Sequence, residues 1–237
     1  MGVDITIVDE QTEHILAGGI IAILRPERTE DLLPVAEAIR AGGVTAIEVT
    51  PTAPGAVQAL GPARMKLGRD VVLGLGSVLT AEAARDALQA GVAFVAAPNL
   101  NPEVIRVCRE ARVSVIPGAF TATEIVQAWG LGASIVKVFP AVPAGAGYIK
   151  EILSTLPDVR LAPTGGISLQ NVGDFIRAGA AAVGVGDEIV SKDLLAQREF
   201  SEITRRARAF VEAVQRARGQ VARPMQPVRP IEGPDVR

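Results

Sequence analysis

Short apolar runs rich in β-branched residues alternate with alanine-rich amphipathic stretches along almost the whole chain. Because the runs stay apolar at successive positions, they are typical of parallel strands whose two faces are both buried. The predicted strands are Ile20–Leu24, Ala46–Thr50, Val71–Leu75, Ala93–Ala97, Ser114–Ile116, Ile135–Phe139, Arg160–Pro163 and Ala181–Val185. The clearest predicted helices are Glu30–Ala41, Thr80–Ala90, Pro102–Ala111, Thr121–Trp129, Leu169–Ala178 and Ser201–Arg218.

Repeated strand–helix units predict an α/β fold, a single closed (β/α)8 TIM barrel. The alternative is an open, doubly wound sheet, which would show a glycine-rich turn after its first strand. Leu24 is followed instead by Arg25–Glu27, which favours the barrel. We expect the barrel to span residues 15–218, with poorly ordered extensions at residues 1–14 and in the Pro/Arg-rich tail at residues 219–237.

The amino-acid composition argues against several classes of protein and site. A formal charge of -2, without a basic cluster, argues against nucleic acid as a partner. No apolar run reaches the ~20 residues that span a membrane. The single cysteine, Cys108, excludes an internal disulfide and suits a reducing cytoplasm. One cysteine and one histidine, His14, which we expect on the surface, also exclude a Cys/His zinc site.

Lys137 is a lone charge within the apolar run Ser134–Pro140, near the end of the sixth predicted strand. Barrel enzymes carry their catalytic side chains at these strand ends. If the side chain points into the barrel, desolvation disfavours the ammonium form, and the neutral amine can attack a ketone. The alternative is a lysine whose long stem reaches solvent.

Three further features favour the catalytic interpretation. Glu48 is a second lone charge at a strand end, suited to proton transfer or to an ion pair with Lys137, although alternation leaves its direction open. Glycines follow the seventh strand in Thr164–Gly166 and the eighth strand in Gly184–Gly186. Barrels commonly bind phosphate with these two loops, whereas either glycine pair alone also fits a tight turn.

Ordered motifs between about Ile15 and Arg218 resemble the 2-keto-3-deoxy-6-phosphogluconate (KDPG) and 4-hydroxy-2-oxoglutarate (KHG) aldolases. The motifs are Gly43–Thr50, Gly74–Leu79, Ala97–Pro98, Val115–Gly118, Val136–Pro140 and Pro163–Ser168. The resemblance implies a barrel that forms a homotrimer, with no metal and no organic cofactor. It also implies a 2-keto acid substrate, most simply KDPG, that is cleaved to pyruvate and an aldehyde. The alternative substrate is an unphosphorylated or dicarboxylate 2-keto acid such as 4-hydroxy-2-oxoglutarate.

The resemblance further implies roles for individual residues. Lys137 would form an imine with the substrate's C2 ketone, and Glu48 would transfer protons. Arg25 would bind an anionic group, unless it is an ordinary charge at a strand end. The other substrate-binding positions implied are Thr52, Ser77, Pro98, Phe139, Thr164, Gly165, Gly166, Gly186 and Asp187.

Three positions depart from the family pattern. Thr52 stands where some members have an arginine that holds the substrate carboxylate, and Ser77 replaces a threonine but keeps the hydroxyl. Asp187 replaces a serine that helps to bind the terminal phosphate. Either Asp187 caps a short helix and points away, leaving backbone amides for the phosphate, or the far end of the substrate is not phosphorylated.

Two other classes of function compete with an aldolase. A phosphate-binding epimerase barrel shares the glycine loops but needs a metal or paired acids at the barrel mouth. A degenerate barrel kept for binding or assembly is suggested only by Thr52 and Asp187, whereas Lys137 and Glu48 together argue against it.

Overall fold

Strand and helix alternate through the computed structural model, which describes residues 9–220. The strands are β1 (Ile20–Leu24), β2 (Ala46–Val49), β3 (Val72–Leu75), β4 (Phe94–Ala96), β5 (Ser114–Ile116), β6 (Gly118–Ala119), β7 (Val136–Val138), β8 (Leu161–Pro163) and β9 (Val183–Val185). The α-helices are α1 (Glu10–Gly18), α2 (Leu32–Ala41), α3 (Ala56–Leu67), α4 (Ala81–Gln89), α5 (Pro102–Glu110), α6 (Ala122–Gly130), α7 (Gly145–Thr155), α8 (Val172–Arg177), α9 (Lys192–Ala196) and α10 (Phe200–Gly219). Residues 1–8 of the predicted extension and residues 221–237 of the predicted tail lie outside the described residues.

The strands form two parallel sheets, one with the order β5-β4-β3-β2-β1-β9 and one with the order β6-β7-β8. Within each sheet the strands from β1 to β5 and from β6 to β8 are neighbours in chain order, and β9 pairs with β1. A doubly wound sheet would reverse its strand order at a switch point. The open-sheet alternative therefore does not fit, and the fold is α/β with parallel strands, as predicted.

The fifth predicted strand, Ser114–Ile116, is observed as β5, and Gly118–Ala119 forms an additional short strand, β6, beyond Pro117. β5 pairs with β4 in the first sheet, whereas β6 pairs with β7 in the second. Proline has no N–H and cannot donate a bond to a sheet ladder. Its carbonyl still accepts a hydrogen bond from the backbone N–H of Lys137 at 2.9 Å. The residues described thus contain nine strands rather than eight.

Two hydrophobic cores lie on opposite faces of the strands. Alternate strand residues such as Ile47, Val49 and Val136 pack against the surrounding helices. The intervening residues, from strands of both sheets, pack together in a second core that includes Ile21, Phe94 and residues of α1. Side chains alternate between the two faces along a strand. A residue two positions after an inner-core residue in the same strand therefore points to the same interior face.

Helix α1 corrects the prediction that residues up to 14 are poorly ordered, because residues 10–14 are helical. The carboxylate of Asp9 caps the helix by accepting a hydrogen bond from the Thr12 N–H at 2.7 Å. Thr12 is buried and its hydroxyl lies 2.8 Å from that of Ser114. His14, expected on the surface, is half-buried with Nε2 2.8 Å from the hydroxyl of Thr45.

No helix within residues 9–220 is long and apolar enough to cross a membrane.

Candidate active site

A cavity of about 340 Å³ opens where the carboxyl ends of the parallel strands meet. All but one of the predicted site residues line it. They are Arg25, Glu48, Ser77, Pro98, Lys137, Phe139, Thr164, Gly165, Gly166, Gly186 and Asp187. Parallel strands point their carboxyl ends in one direction, and the loops that follow them therefore enclose one space.

Thr52 is the predicted residue that the structure does not bring into the cavity. It is exposed, and its hydroxyl donates a hydrogen bond to the carbonyl of Pro26 at 2.7 Å. This bond joins the loop after β2 to the loop after β1, so the residue holds two loops together.

Sequence reasoning missed four lining residues, which are Ile23, Thr50, Ile167 and Glu188. Ile23 lies two positions before Arg25, and Thr50 lies two positions after Glu48. The period of two along a strand would have found both residues once one neighbour was assigned to the interior.

Lys137 and Glu48 form a buried ion pair in the lining of the cavity. Nζ of Lys137 lies 3.1 Å from Oε1 and 3.2 Å from Oε2 of Glu48. The two side chains are only 8% and 4% exposed. The alternative in which Lys137 reaches solvent is therefore wrong, and both charges face the interior.

Burial distinguishes Lys137 from the other lysines of the chain, because Lys66, Lys150 and Lys192 are all exposed. Its ammonium nitrogen also lies 5.8 Å from the centre of the Phe139 ring. An amine held beside a carboxylate and an apolar surface has the two parts that imine chemistry needs, a nucleophile and a proton acceptor.

Gly76 makes room for the Glu48 carboxylate. A Cβ at this position would lie 2.2 Å from Oε1 and 2.7 Å from Cδ of Glu48. Any other residue would therefore push the carboxylate away from Lys137. The next residue, Ser77, has a φ of 58°, which non-glycine residues seldom adopt, and it lines the same wall.

The loop after β8 presents a backbone N–H group to the cavity. Gly165 and Gly166 have φ values of 93° and 76°, in the left-handed region that favours glycine. Within residues 9–220 the N–H of Gly166 donates to no protein acceptor, whereas the bridge between Thr164 and Gly184 turns the N–H of Gly165 toward β9. Thr164 is buried, and its hydroxyl donates to the carbonyl of Ala162 at 3.2 Å. A free N–H group at such a loop suits a carboxylate or another anion.

The far end of the cavity carries an ion pair between Arg25 and Asp187. Nη1 of Arg25 lies 3.3 Å from Oδ1 of Asp187, and the side chains are 45% and 81% exposed. The interpretation in which Asp187 caps the following helix is wrong, because the N-cap of α9 is Ser191. Asp187 faces the cavity instead.

No group of three or more His, Cys, Asp or Glu residues within residues 9–220 is arranged to hold a metal ion. Glu48 has a lysine as its partner rather than a second acid, which is not the arrangement expected of the competing epimerase. That the protein needs neither metal nor cofactor stays a prediction from the sequence.

The chain is similar to proteins of one known family. The family model described as KDPG and KHG aldolase matches residues 12–206. A 2-dehydro-3-deoxy-phosphogluconate aldolase from Treponema pallidum is 37% identical over 186 residues, covering 78% of this chain and 88% of the relative. The enzyme of the same name from Pseudomonas aeruginosa is 32% identical, covering 81% and 88%.

A solved structure carries the same fold. It is KDPG aldolase from Legionella pneumophila with pyruvate captured as a covalent carbinolamine intermediate. The TM-score is 0.79 at 30% identity, with 85% of this chain and 98% of that chain covered. The parallel α/β fold and these relatives define a carbon–carbon lyase. The chain belongs to the KDPG and KHG aldolase family.

Proposed function

We propose that this protein is a class I aldolase, a carbon–carbon lyase that cleaves a 2-keto-3-deoxy sugar acid through an imine on Lys137. The substrate indicated by its relatives is KDPG, which gives pyruvate and glyceraldehyde 3-phosphate. The observation that carries the proposal is the buried pair of Lys137 and Glu48 in a cavity at the strand ends. The covalent pyruvate in the Legionella relative supports it.

The reaction uses these two side chains in sequence. The Lys137 amine attacks the C2 ketone, and the carbinolamine loses water to give a protonated imine. The imine accepts the electron pair of the C3–C4 bond as Glu48 takes the proton of the C4 hydroxyl, which releases the aldehyde and leaves an enamine. Protonation at C3 gives the pyruvate imine, and water releases pyruvate and the free amine.

The cavity walls supply orientation. The N–H group of Gly166 binds the substrate carboxylate, since it has no acceptor in the part of the chain that the structure describes. Phe139, 38% exposed on the cavity side of the pair, packs against the pyruvyl methyl carbon, and Pro98 shapes the opposite wall. Thr164 contacts the carboxylate or a hydroxyl.

We also propose that the two sheets belong to one closed (β/α)8 barrel spanning residues 15–218, flanked by extensions at 1–14 and 219–237. The inner core shared by strands of both sheets supports closure, as does the parallel bridge between Thr164 and Gly184 that joins β8 to β9. The homotrimer and the cytoplasmic location expected from the sequence stay predictions.

Borohydride trapping tests the proposal directly. Incubation with pyruvate and borohydride, followed by peptide mass spectrometry, is expected to give one stable adduct on Lys137. Lys137→Ala should abolish both the adduct and KDPG cleavage, measured as pyruvate release with lactate dehydrogenase. Lys150→Ala, at an exposed lysine of α7, is the matched control and should keep both. No adduct, or an adduct on Lys150, contradicts the mechanism.

A further inference from the structure

The far end of the cavity is lined by more negative than positive charge. Arg25, Asp187 and Glu188 lie there, beyond the Lys137–Glu48 pair. Of the charged lining residues in the described chain, two are cationic and three are anionic. Arg25 is already paired with Asp187. The guanidinium of Arg206 donates to the backbone carbonyl of Glu188 at 3.5 Å, and the Glu188 carboxylate forms no ion pair among residues 9–220. A phosphate dianion at this end meets two carboxylates and one engaged guanidinium.

We propose that Asp187 is a specificity-determining residue, which makes the far end of the cavity a subsite for hydroxyl groups rather than for a phosphate. The inference rests on the proposed aldolase function. It adds that 2-keto-3-deoxy acids without phosphate are cleaved about as efficiently as KDPG. The carboxylate oxygens of Asp187 accept hydrogen bonds from the terminal hydroxyls, and Arg25 donates to them.

The position of Arg25 supports this assignment. A Cβ added to Gly186 would lie 2.9 Å from Nη1 of Arg25. The guanidinium therefore covers the backbone of the loop after β9. A phosphate that used the loop's N–H groups would have to displace Arg25 from above Gly186 and from its ion pair. A neutral polyol end needs neither displacement, because hydroxyls both donate and accept hydrogen bonds.

The expected effect is moderate because the pair is largely exposed. Solvent and salt screen charges at such sites, and exposed pairs have small interaction energies. A dianion experiences the carboxylate twice as strongly as a single charge does. The competing arrangement, in which Asp187 turns away and the loop N–H groups hold a phosphate, predicts the opposite substrate preference.

The test compares kcat/KM for KDPG and for 2-keto-3-deoxygluconate in the wild type, Asp187→Asn and a control. Asp193→Asn removes the same charge from an exposed position in α9, outside the cavity. Pyruvate release is measured with lactate dehydrogenase at low and high salt. Each rate is normalised to the number of sites that pyruvate and borohydride trap, which reports the Lys137 imine independently of the far end.

In the wild type, kcat/KM for KDPG is expected to exceed that for the unphosphorylated acid by less than about tenfold, since a phosphate gains little interaction free energy at this exposed end. Asp187→Asn should raise the ratio of these two kcat/KM values about fivefold or more over the Asp193→Asn value, and 1 M salt should reduce the difference. A higher wild-type ratio, or a smaller change, overturns the proposal. Loss of trapping in the wild type overturns the aldolase function itself.

Discussion

Replacing Lys137 with methionine should destabilise the fold, because it leaves a buried carboxylate without its cation. Methionine is unbranched and of similar length, so it fills the space of the lysine stem. Glu48 then stays in place at 4% exposure, with no partner for its charge. Breaking a buried pair in this way typically costs about 3–5 kcal/mol. The lower end applies here, since the cavity admits water to one side of the carboxylate.

The loss is measurable as a change in thermal unfolding midpoint at fixed protomer concentration. For chains of this size each kcal/mol corresponds to about 2–4 °C, so a loss of about 3 kcal/mol lowers the midpoint by roughly 6–12 °C. Circular dichroism at a helical wavelength follows the transition. Lys150→Met, at the exposed lysine of α7, is the control and should shift the midpoint by less than about 2 °C.

The double variant Lys137→Met with Glu48→Leu separates the two explanations for such a loss. If the lone charge is the cause, removing it as well should restore most or all of the stability, since an apolar pair of similar volume often equals a buried ion pair. A single variant within about 1 kcal/mol of the wild type refutes the reasoning. So does a double variant less stable than the single one.

Two further predictions concern other buried groups. Gly76→Ala should lower kcat/KM by about 100-fold, because the new Cβ displaces the carboxylate of Glu48 and a misplaced catalytic group reduces the rate by about this factor. Gly130→Ala is the control, because a Cβ at that position meets nothing within 4 Å. A loss of less than tenfold in kcat/KM counts against the role of Gly76. Burial raises the pKa of Cys108 to about 12, so its thiol should resist iodoacetamide at pH 8 until the protein is unfolded. Rapid labelling of Cys108 in the folded protein would contradict this prediction.

Local features of the fold were readable from the sequence. β1 and β5 begin and end where the apolar runs predicted, and the glycines after α2, α4 and α8 stop those helices in the left-handed conformation. These features depend on backbone preferences of a few neighbouring residues. The additional strand β6 beyond Pro117 was missed, because two small residues, Gly118 and Ala119, carry no apolar pattern.

The candidate site was only partly readable. The apolar surroundings of Lys137 and Glu48 in the sequence marked both residues as unusual, but they lie 89 positions apart and in different sheets. In a parallel sheet both faces of a strand are buried, so alternation could not tell which face met the interior. The pairing of Lys137 with Glu48 was one of two interpretations until the strands were placed.

Asp187, at the far end of the cavity, is likewise a residue that was identified in the sequence but whose contacts required the structure. The sequence by itself determined that a carboxylate follows β9 in place of the expected serine, that a lysine and a glutamate end two strands, and which family these residues resemble. Only the tertiary structure decided that Asp187 meets Arg25, 162 positions away, and that Thr52 lies outside the cavity. Strand formation is decided among neighbours, whereas the partner of a charged side chain is decided by long-range packing.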